Sequence, residues 1–401
     1  MEPAVSADRG TAAPSPARKA SASGSSSARR NRIAGVDLAR AAAILGMFAV
    51  HIGPTGNGTV AERVYSLPHG RASILFALVA GAGVTLLAAS QRRSAGQARA
   101  TLTWRAVLLL PLGLVLQELD HGVSVILQDY AVLFLLAIAV IGLSDRWLLA
   151  LAGIALVAGP LGFLWGQVVD PDTFARQPAA WGDGAATIAH RLVLSGAYPL
   201  ITWAAPFLFG MWLGRRDLRV SRTRLALAVG GGITAVAAVA ASFALSTVFG
   251  EPTDPVGWDQ IISDNPHTQM PLWLLTATGS AAMVLGLCLM AADAAERVLW
   301  PLVATGQLAL TVYVGHLLAL HFAPDALRSD QVAGATGLLV GFTVASAVVA
   351  VAWRAKFNRG PLEVALQPPW STLSRRTAER RSAPATTSPP AGNPGPREGP
   401  G

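Results

Sequence analysis

RIAGVDLARAAAILGMFAVHIGP, residues 32–54, is long and apolar enough to cross a bilayer, yet it holds Asp37 and Arg40 near one end and His51 at the other. An unpaired charge in hydrocarbon costs several kcal/mol, so ionisable groups in such a segment demand either partners or a task. The surrounding chain shares its apolar character. Of 401 residues, 52% are hydrophobic and only 13% are charged, where an ordinary soluble domain carries about a quarter charged residues. A hydrocarbon core roughly 30 Å thick takes about 20 apolar residues per helix. Such runs occur near 33–53, 71–90, 103–118, 122–143, 147–168, 189–213, 223–248, 271–292, 301–321 and 332–353. The expected fold is therefore all-α, a polytopic membrane helical bundle of about ten transmembrane helices.

Residues 1–31 are Ala, Ser, Pro and Arg without an apolar core, and the segment 368–401 has the same character. Both read as disordered tails flanking one membrane domain over 32–367. The single cysteine, Cys288, excludes an intramolecular disulfide.

Ten runs put the connections alternately on two sides, and the 31 Lys and Arg residues sort between them unequally. One side holds Arg29, Arg30 and Arg32, then Arg92, Arg93 and Arg99, then Arg215, Arg216, Arg219, Arg222 and Arg224, and finally Arg375, Arg376, Arg380 and Arg381. The other holds only Arg63, Arg71, Arg176, Arg191 and Arg328. By the positive-inside rule both termini are cytoplasmic. The net charge of +8 is thus a topology signal, and no nucleic acid is expected as a partner. All seven histidines, His51, His69, His121, His190, His267, His316 and His321, fall on the outer side in this arrangement.

Within the runs, Asp37 and Arg40 are three positions apart on one helical face and can pair. That pair either fixes the first span against a neighbour or leaves Arg40 to receive a phosphate of a cytoplasmic ligand. His51 lies fourteen residues beyond Asp37, roughly 21 Å along the axis and on nearly the same face. The short Gly-rich connection after it ends in His69 and Arg71. In SVILQDYAVLFLL, Asp129 sits about one turn below the outer surface beside Tyr130. TVYVGHLLALH sets Tyr313 and His316 on one face, and SGAYPLITWAAPFLFG places Tyr198 before Pro199 with Pro206 below, predicting a kinked helix whose freed carbonyls line a cavity. Together these groups offer a histidine base, a carboxylate to orient it and Tyr or Arg groups to hold an oxygen-rich acceptor. They do not suit a metal, because neither HExxH nor CxxC occurs and the histidines are scattered. The glycines of VAGAGVT and VGGGIT lie inside apolar runs, where small residues allow close helix packing.

GVDLARAAAILGMFAVHIGP, FALVAGAGVTLL, ILQDYAVLFLLA, YPLITWAAPFLFGMWLGR, GQLALTVYVGHLLAL and WRAKFNRGPLEVAL, in that order over about 32–367, resemble the bacterial domain-of-unknown-function-418 membrane proteins. These are similar to the heparan-alpha-glucosaminide N-acetyltransferase catalytic domain, within a wider group of transmembrane acyltransferases. The resemblance implies a multi-pass enzyme of the cytoplasmic membrane. It would take an acetyl or other acyl group from cytoplasmic acyl-CoA, a co-substrate with no metal, and deliver it to a sugar-like hydroxyl or amine across the membrane. In the sugar acetyltransferase a histidine of the outer connection before the second span is central; here both His51 and His69 match. The family's Asp-x-x-Arg pair matches Asp37 and Arg40, with Ala41 where Gly usually follows. The acidic residue that often precedes the ILxxYA pattern is Val125 here, and Asp129 stands one turn later.

The leading expectation is accordingly a transferase with Asp37 and Arg40 at the acyl-CoA end. His51 or His69 would be the base or transient acyl carrier, Asp129 and His316 orienting or relay groups, and Arg71, Tyr130, Tyr198 and Tyr313 acceptor-holding residues. The expected partners are the lipid bilayer and a small-molecule or glycan acceptor, with a homodimer left open. A transporter or flippase for a small polar or amphiphilic solute is the alternative, and a non-catalytic scaffold a third. The transporter lacks the internal repeat and midplane charges that such proteins often show.

Overall fold

The computed structural model describes residues 32–54, 58–90 and 95–370. The expected tails, except for residues 368–370 at the start of the C-terminal one, and with them Arg29, Arg30, Arg92, Arg93, Arg375, Arg376, Arg380 and Arg381, lie outside the described residues. The described chain is helical without a strand. Its elements are α1 (Ala34–Ile52), α2 (Val60–Tyr65), α3 (Arg71–Ser90), α4 (Ala95–Gln117), α5 (Leu127–Val140), α6 (Asp145–Val169) and α7 (Ala185–His190), which runs into a π-helical turn (Arg191–Ser195). There follow α8 (Leu200–Leu213), α9 (Ser221–Phe249), α10 (Pro271–Ala294), α11 (Glu296–Gln307), α12 (Ala309–Phe322), α13 (Val332–Lys356) and α14 (Pro361–Ala365).

Seven of these, α1, α3, α4, α6, α9, α10 and α13, are long and apolar enough to cross a bilayer. Counting α7–α8 and α11–α12 as one bent span each raises the number to nine. Away from their ends, α9 and α13 expose mainly apolar side chains, among them Ile233, Val236, Val340 and Val344. Such faces are stable against lipid and not against water. The protein is a multi-pass membrane protein.

The first span occupies the middle of the bundle. Helix α1 packs on α3, α10, α11 and α13, and most of its side chains are buried, including Ile44, Met47, Phe48 and Ile52. Close approach to α11 is made by Gly306, where a Cβ would overlap the carbonyl oxygen of Asp37. Two spans that the sequence presents as single runs are broken. Leu200–Leu213 restarts at Pro199 after a bend of 59° from the preceding segment, and α12 leaves α11 at 72° across Leu308. Proline explains the first break at Pro199; Pro206 sits within α8 without interrupting it.

The run expected over 122–143 yields a helix of only 14 residues, Leu127–Val140, about 21 Å long and short of a full crossing. Gly122–Ile126 is instead an irregular, non-helical stretch, entered through Gly122 at φ 65°, a left-handed conformation that glycine adopts without penalty. Side chains satisfy the released backbone groups. The amides of Val123, Val125 and Ile126 donate to His121 Nδ1 (3.1 Å), Gln117 Oε1 (2.7 Å) and Tyr313 Oη (3.3 Å). The carbonyls of His121, Val123 and Ser124 accept from Arg328 (2.7 Å), Gln117 Nε2 (3.2 Å) and Tyr198 Oη (3.2 Å). Hydropathy could not reveal this, because the unwinding depends on polar side chains from distant parts of the chain.

Candidate functional site

Helix α1 carries an ionic group at one end and an imidazole at the other. At its start the buried Asp37 carboxylate accepts from Arg40 Nη1 at 2.6 Å and from Arg32 Nε at 3.1 Å. Gly83 of α3 leaves the space that Arg40 fills, since a Cβ there would stand 3.1 Å from Arg40 Nη2. Arg105 of α4 lies within electrostatic reach of both Arg40 and Arg359. Its Nε is buried without a hydrogen-bond partner. Arg105 was not among the expected site residues, because in the sequence it is a single arginine in an apolar run and only the fold brings it within electrostatic range of Arg40.

At the other end, His51 Nδ1 meets His316 Nε2 at 3.2 Å, with the rings 5.4 Å apart and 8° from parallel. One proton is shared between these nitrogens, and Nε2 of His51 is left for other chemistry. His316 is fully buried, flanked edge-on by Phe48 and Tyr313. His51 opens onto a cavity of about 290 Å³ whose polar lining includes His69, Ser73, Arg176, Tyr198 and His267. Its size suits a small ligand, just below the roughly 300–1,000 Å³ of ordinary ligand pockets.

The far wall of this cavity is held in a strained loop. His267 and Gln269 have φ of 61° and 65°, each costing on the order of 1–3 kcal/mol in a non-glycine residue. Buried Gln269 pins the loop by accepting from Trp203 Nε1 and Thr202 Oγ1, both at 3.0 Å, and donating to Ala197 O at 3.0 Å. Arg176 donates to the His267 carbonyl at 2.8 Å. The His267 ring is set 5.1 Å from His69 and 5.8 Å from Trp273. Burial, with His69 and Arg176 nearby, pushes the His267 pKa down to about 3, and burial also lowers that of His69. Both rings therefore favour the neutral form near pH 7, each with one donor and one acceptor nitrogen.

The fold thus brings His51, His69 and Tyr198 to one cavity with His316 directly behind. It does not bring the other expected acceptor groups there. Arg71 is absent from the lining and spends Nη1 on Leu67 O at 3.1 Å. Tyr130 packs on Phe76 and Phe134, within electrostatic reach of Arg40, its hydroxyl buried without a partner. Tyr313 caps the Ile126 amide. Asp129 is buried in the first turn of α5, where the helix dipole favours a carboxylate. It makes no salt bridge among the described residues, and Tyr130, Tyr198 and Tyr313 lie within its electrostatic range. Among these groups and the two histidines, only Tyr313, His316 and His51 are in direct contact; Asp129, Tyr130 and Arg40 lie further along toward the ionic end of α1, with Asp129 and Arg40 each within electrostatic range of Tyr130.

His267 and Arg176 were not among the expected site residues; the sequence assigned both only to outer connections. His121 has a structural task, with Nε2 donating to Leu116 O at 2.9 Å and Nδ1 accepting from Val123. No group of three or more His, Cys, Asp or Glu among the described residues has the arrangement to hold a metal ion.

No individual curated protein matches the sequence. A family model described as an acyltransferase domain matches residues 123–354, more than half of the 401 residues. The match contains Asp129, Tyr130, Arg176, Tyr198, His267, Tyr313 and His316, while Asp37, Arg40, His51, His69 and Arg71 precede it and join it through the packing of α1 and α3. The chain belongs to this family of membrane acyltransferase domains.

Proposed function

We propose that the protein transfers an acyl group, most simply acetyl, from acyl-CoA on the arginine-rich face to a sugar-like hydroxyl or amine bound on the opposite face. The observation that carries this reading is the His51–His316 pair opening onto a cavity, on the helix whose other end holds the Asp37–Arg40 pair. Eleven residues separate Arg40 from His51, about 16 Å of helix. Arg40 and Arg105 supply the cations for the donor's phosphates, and the thioester reaches toward His51.

The acceptor's O–H or N–H gives its proton to His51 Nε2 as its oxygen or nitrogen bonds to the thioester carbonyl carbon. The C–S bond then breaks, and the imidazolium returns the proton to the departing thiolate. His316 holds the His51 ring through Nδ1. His69 is the second candidate base, and a transient acyl-histidine is the two-step form of the same reaction. Both termini would lie in the cytoplasm, following the arginine distribution, and the membrane would be the cytoplasmic membrane of a bacterium. The resemblance to the domain-of-unknown-function-418 proteins and the glucosaminide N-acetyltransferase domain supports the sugar-like acceptor and the CoA donor.

Binding of acetyl-CoA, compared with an unrelated nucleotide, to detergent-purified wild-type and Arg40→Ala protein tests the donor assignment. Specific binding weakened about tenfold or more in the variant is the expected result. Absence of binding at millimolar acetyl-CoA by folded protein would overturn it. Two broken spans also favour a transporter, and solute exchange by proteoliposomes without CoA would replace the transferase reading with that one.

A further inference from the structure

A second cavity, unconnected with the proposed chemistry, lies between the helix pairs α6–α8 and α9–α10. It measures about 700 Å³, well within the range of ligand pockets. Its walls are mostly apolar, with Leu, Phe209 and Trp212 beside small residues such as Ala152, Gly153, Ala226 and Gly230, and Arg216 and Arg222 stand at one end. The small residues create the space. Gly231 and Gly279 bring α9 and α10 into backbone contact, whereas a Cβ at Gly153 or Gly230 would meet nothing within 4 Å.

The length and charge of the groove specify its occupant. From Arg222 to Thr234, both in the lining, is twelve residues of α9, about 18 Å. This is close to the depth of one leaflet, half of a core roughly 30 Å thick. The groove is therefore polar at one membrane surface and apolar to about the midplane, as a single lipid is. Arg216 stacks on Trp212 at 4.6 Å and shares the Asp145 carboxylate with Arg215. Arg222 is exposed and makes no salt bridge among the described residues. Two guanidiniums around one carboxylate, with a third beside them, leave excess positive charge where a phosphate would sit. Basic pockets between transmembrane helices are recurrent sites for anionic headgroups.

We propose that this groove holds an anionic phospholipid of the arginine-side leaflet, with an acyl chain between α6, α8, α9 and α10 and its phosphate on Arg222 and Arg216. The site would brace the two helix pairs against each other. The test is native mass spectrometry and thermal unfolding of full-length detergent-purified protein with added phosphatidylglycerol or phosphatidylcholine. The same measurements are made on Arg222→Gln and Gly230→Leu.

Wild-type protein is expected to retain phosphatidylglycerol at least about fivefold over phosphatidylcholine and to gain Tm from it. Arg222→Gln should lose about fivefold of that preference. Gly230→Leu, which fills open space and removes a helix glycine, should keep or raise the lipid-free Tm while losing retained lipid. Equal retention of both lipids by wild-type protein would overturn the proposal, as would unchanged lipid retention in Gly230→Leu. Two further results would also overturn it: inorganic phosphate alone reproducing the Tm gain, or a lipid-free dimer that Gly230→Leu dissociates.

Discussion

His51 Nδ1 and His316 Nε2 stand 3.2 Å apart with their rings nearly parallel, so α1, which precedes the matched acyltransferase segment, and α12, within it, meet through one shared proton. Replacing His51 removes the proposed base, and replacing His316 removes only what orients it. His51→Ala is expected to lower kcat by about 10²–10⁴-fold. His316→Gln should lower kcat by up to about 10²-fold with little change in acceptor KM. Steady-state acyl transfer in proteoliposomes measures both, and wild-type kcat in His51→Ala would transfer the base assignment to His69.

Tyr313 accepts the Ile126 amide through its hydroxyl. Tyr313→Phe keeps the ring against His316 and leaves that buried N–H unpaired, at a cost of about 1–3 kcal/mol. The expected outcome is a lower Tm, together with faster amide exchange in Gly122–Ile126. Unaltered exchange there would show that the non-helical segment does not depend on this bond.

Gly306 has no space for a side chain, because a Cβ would overlap the Asp37 carbonyl oxygen. Gly306→Ala must push α11 away from α1 and is expected to destabilise by about 1–3 kcal/mol. The same change at Gly315, where nothing lies within 4 Å, should be neutral or slightly stabilising. Thermal unfolding of the two variants side by side checks the contrast.

Protonation of His267 opposes its burial. Its folded pKa of about 3 lies below the ordinary value of 6.5, so the unfolded chain binds the proton first as pH falls. Its contribution is full above pH 6.5 and is lost as pH drops toward 3, by up to about 1.4 kcal/mol per unit. His267→Asn should flatten this part of the stability profile, measured by unfolding between pH 7 and 4. Asn also tolerates the left-handed backbone, so the comparison isolates the titration. An unchanged slope would assign the loss to other groups.

Arg105 has a buried Nε without a partner and lies within electrostatic range of Arg40. Arg105→Gln is expected to raise the donor KM by about tenfold and leave kcat at saturating donor largely intact. A fall in kcat alone would place Arg105 outside the donor site.

The sequence by itself determined the membrane bundle, because apolar runs of bilayer length are local and additive. It also paired Asp37 with Arg40, because a three-residue helical spacing is local too. The break at Pro199 was legible for the same reason. What the tertiary structure decided depends on distant segments meeting. The unwound Gly122–Ile126 exists because Gln117, His121, Tyr198, Tyr313 and Arg328 converge on it. The partnership of His51 with His316 spans 265 residues of sequence. Arg71, Tyr130 and Tyr313, expected at the acceptor, lie outside the cavity lining, while His267 and Arg176 enter it from later connections. Hydropathy records how far each residue must be kept from water, but only packing records which polar groups share the interior.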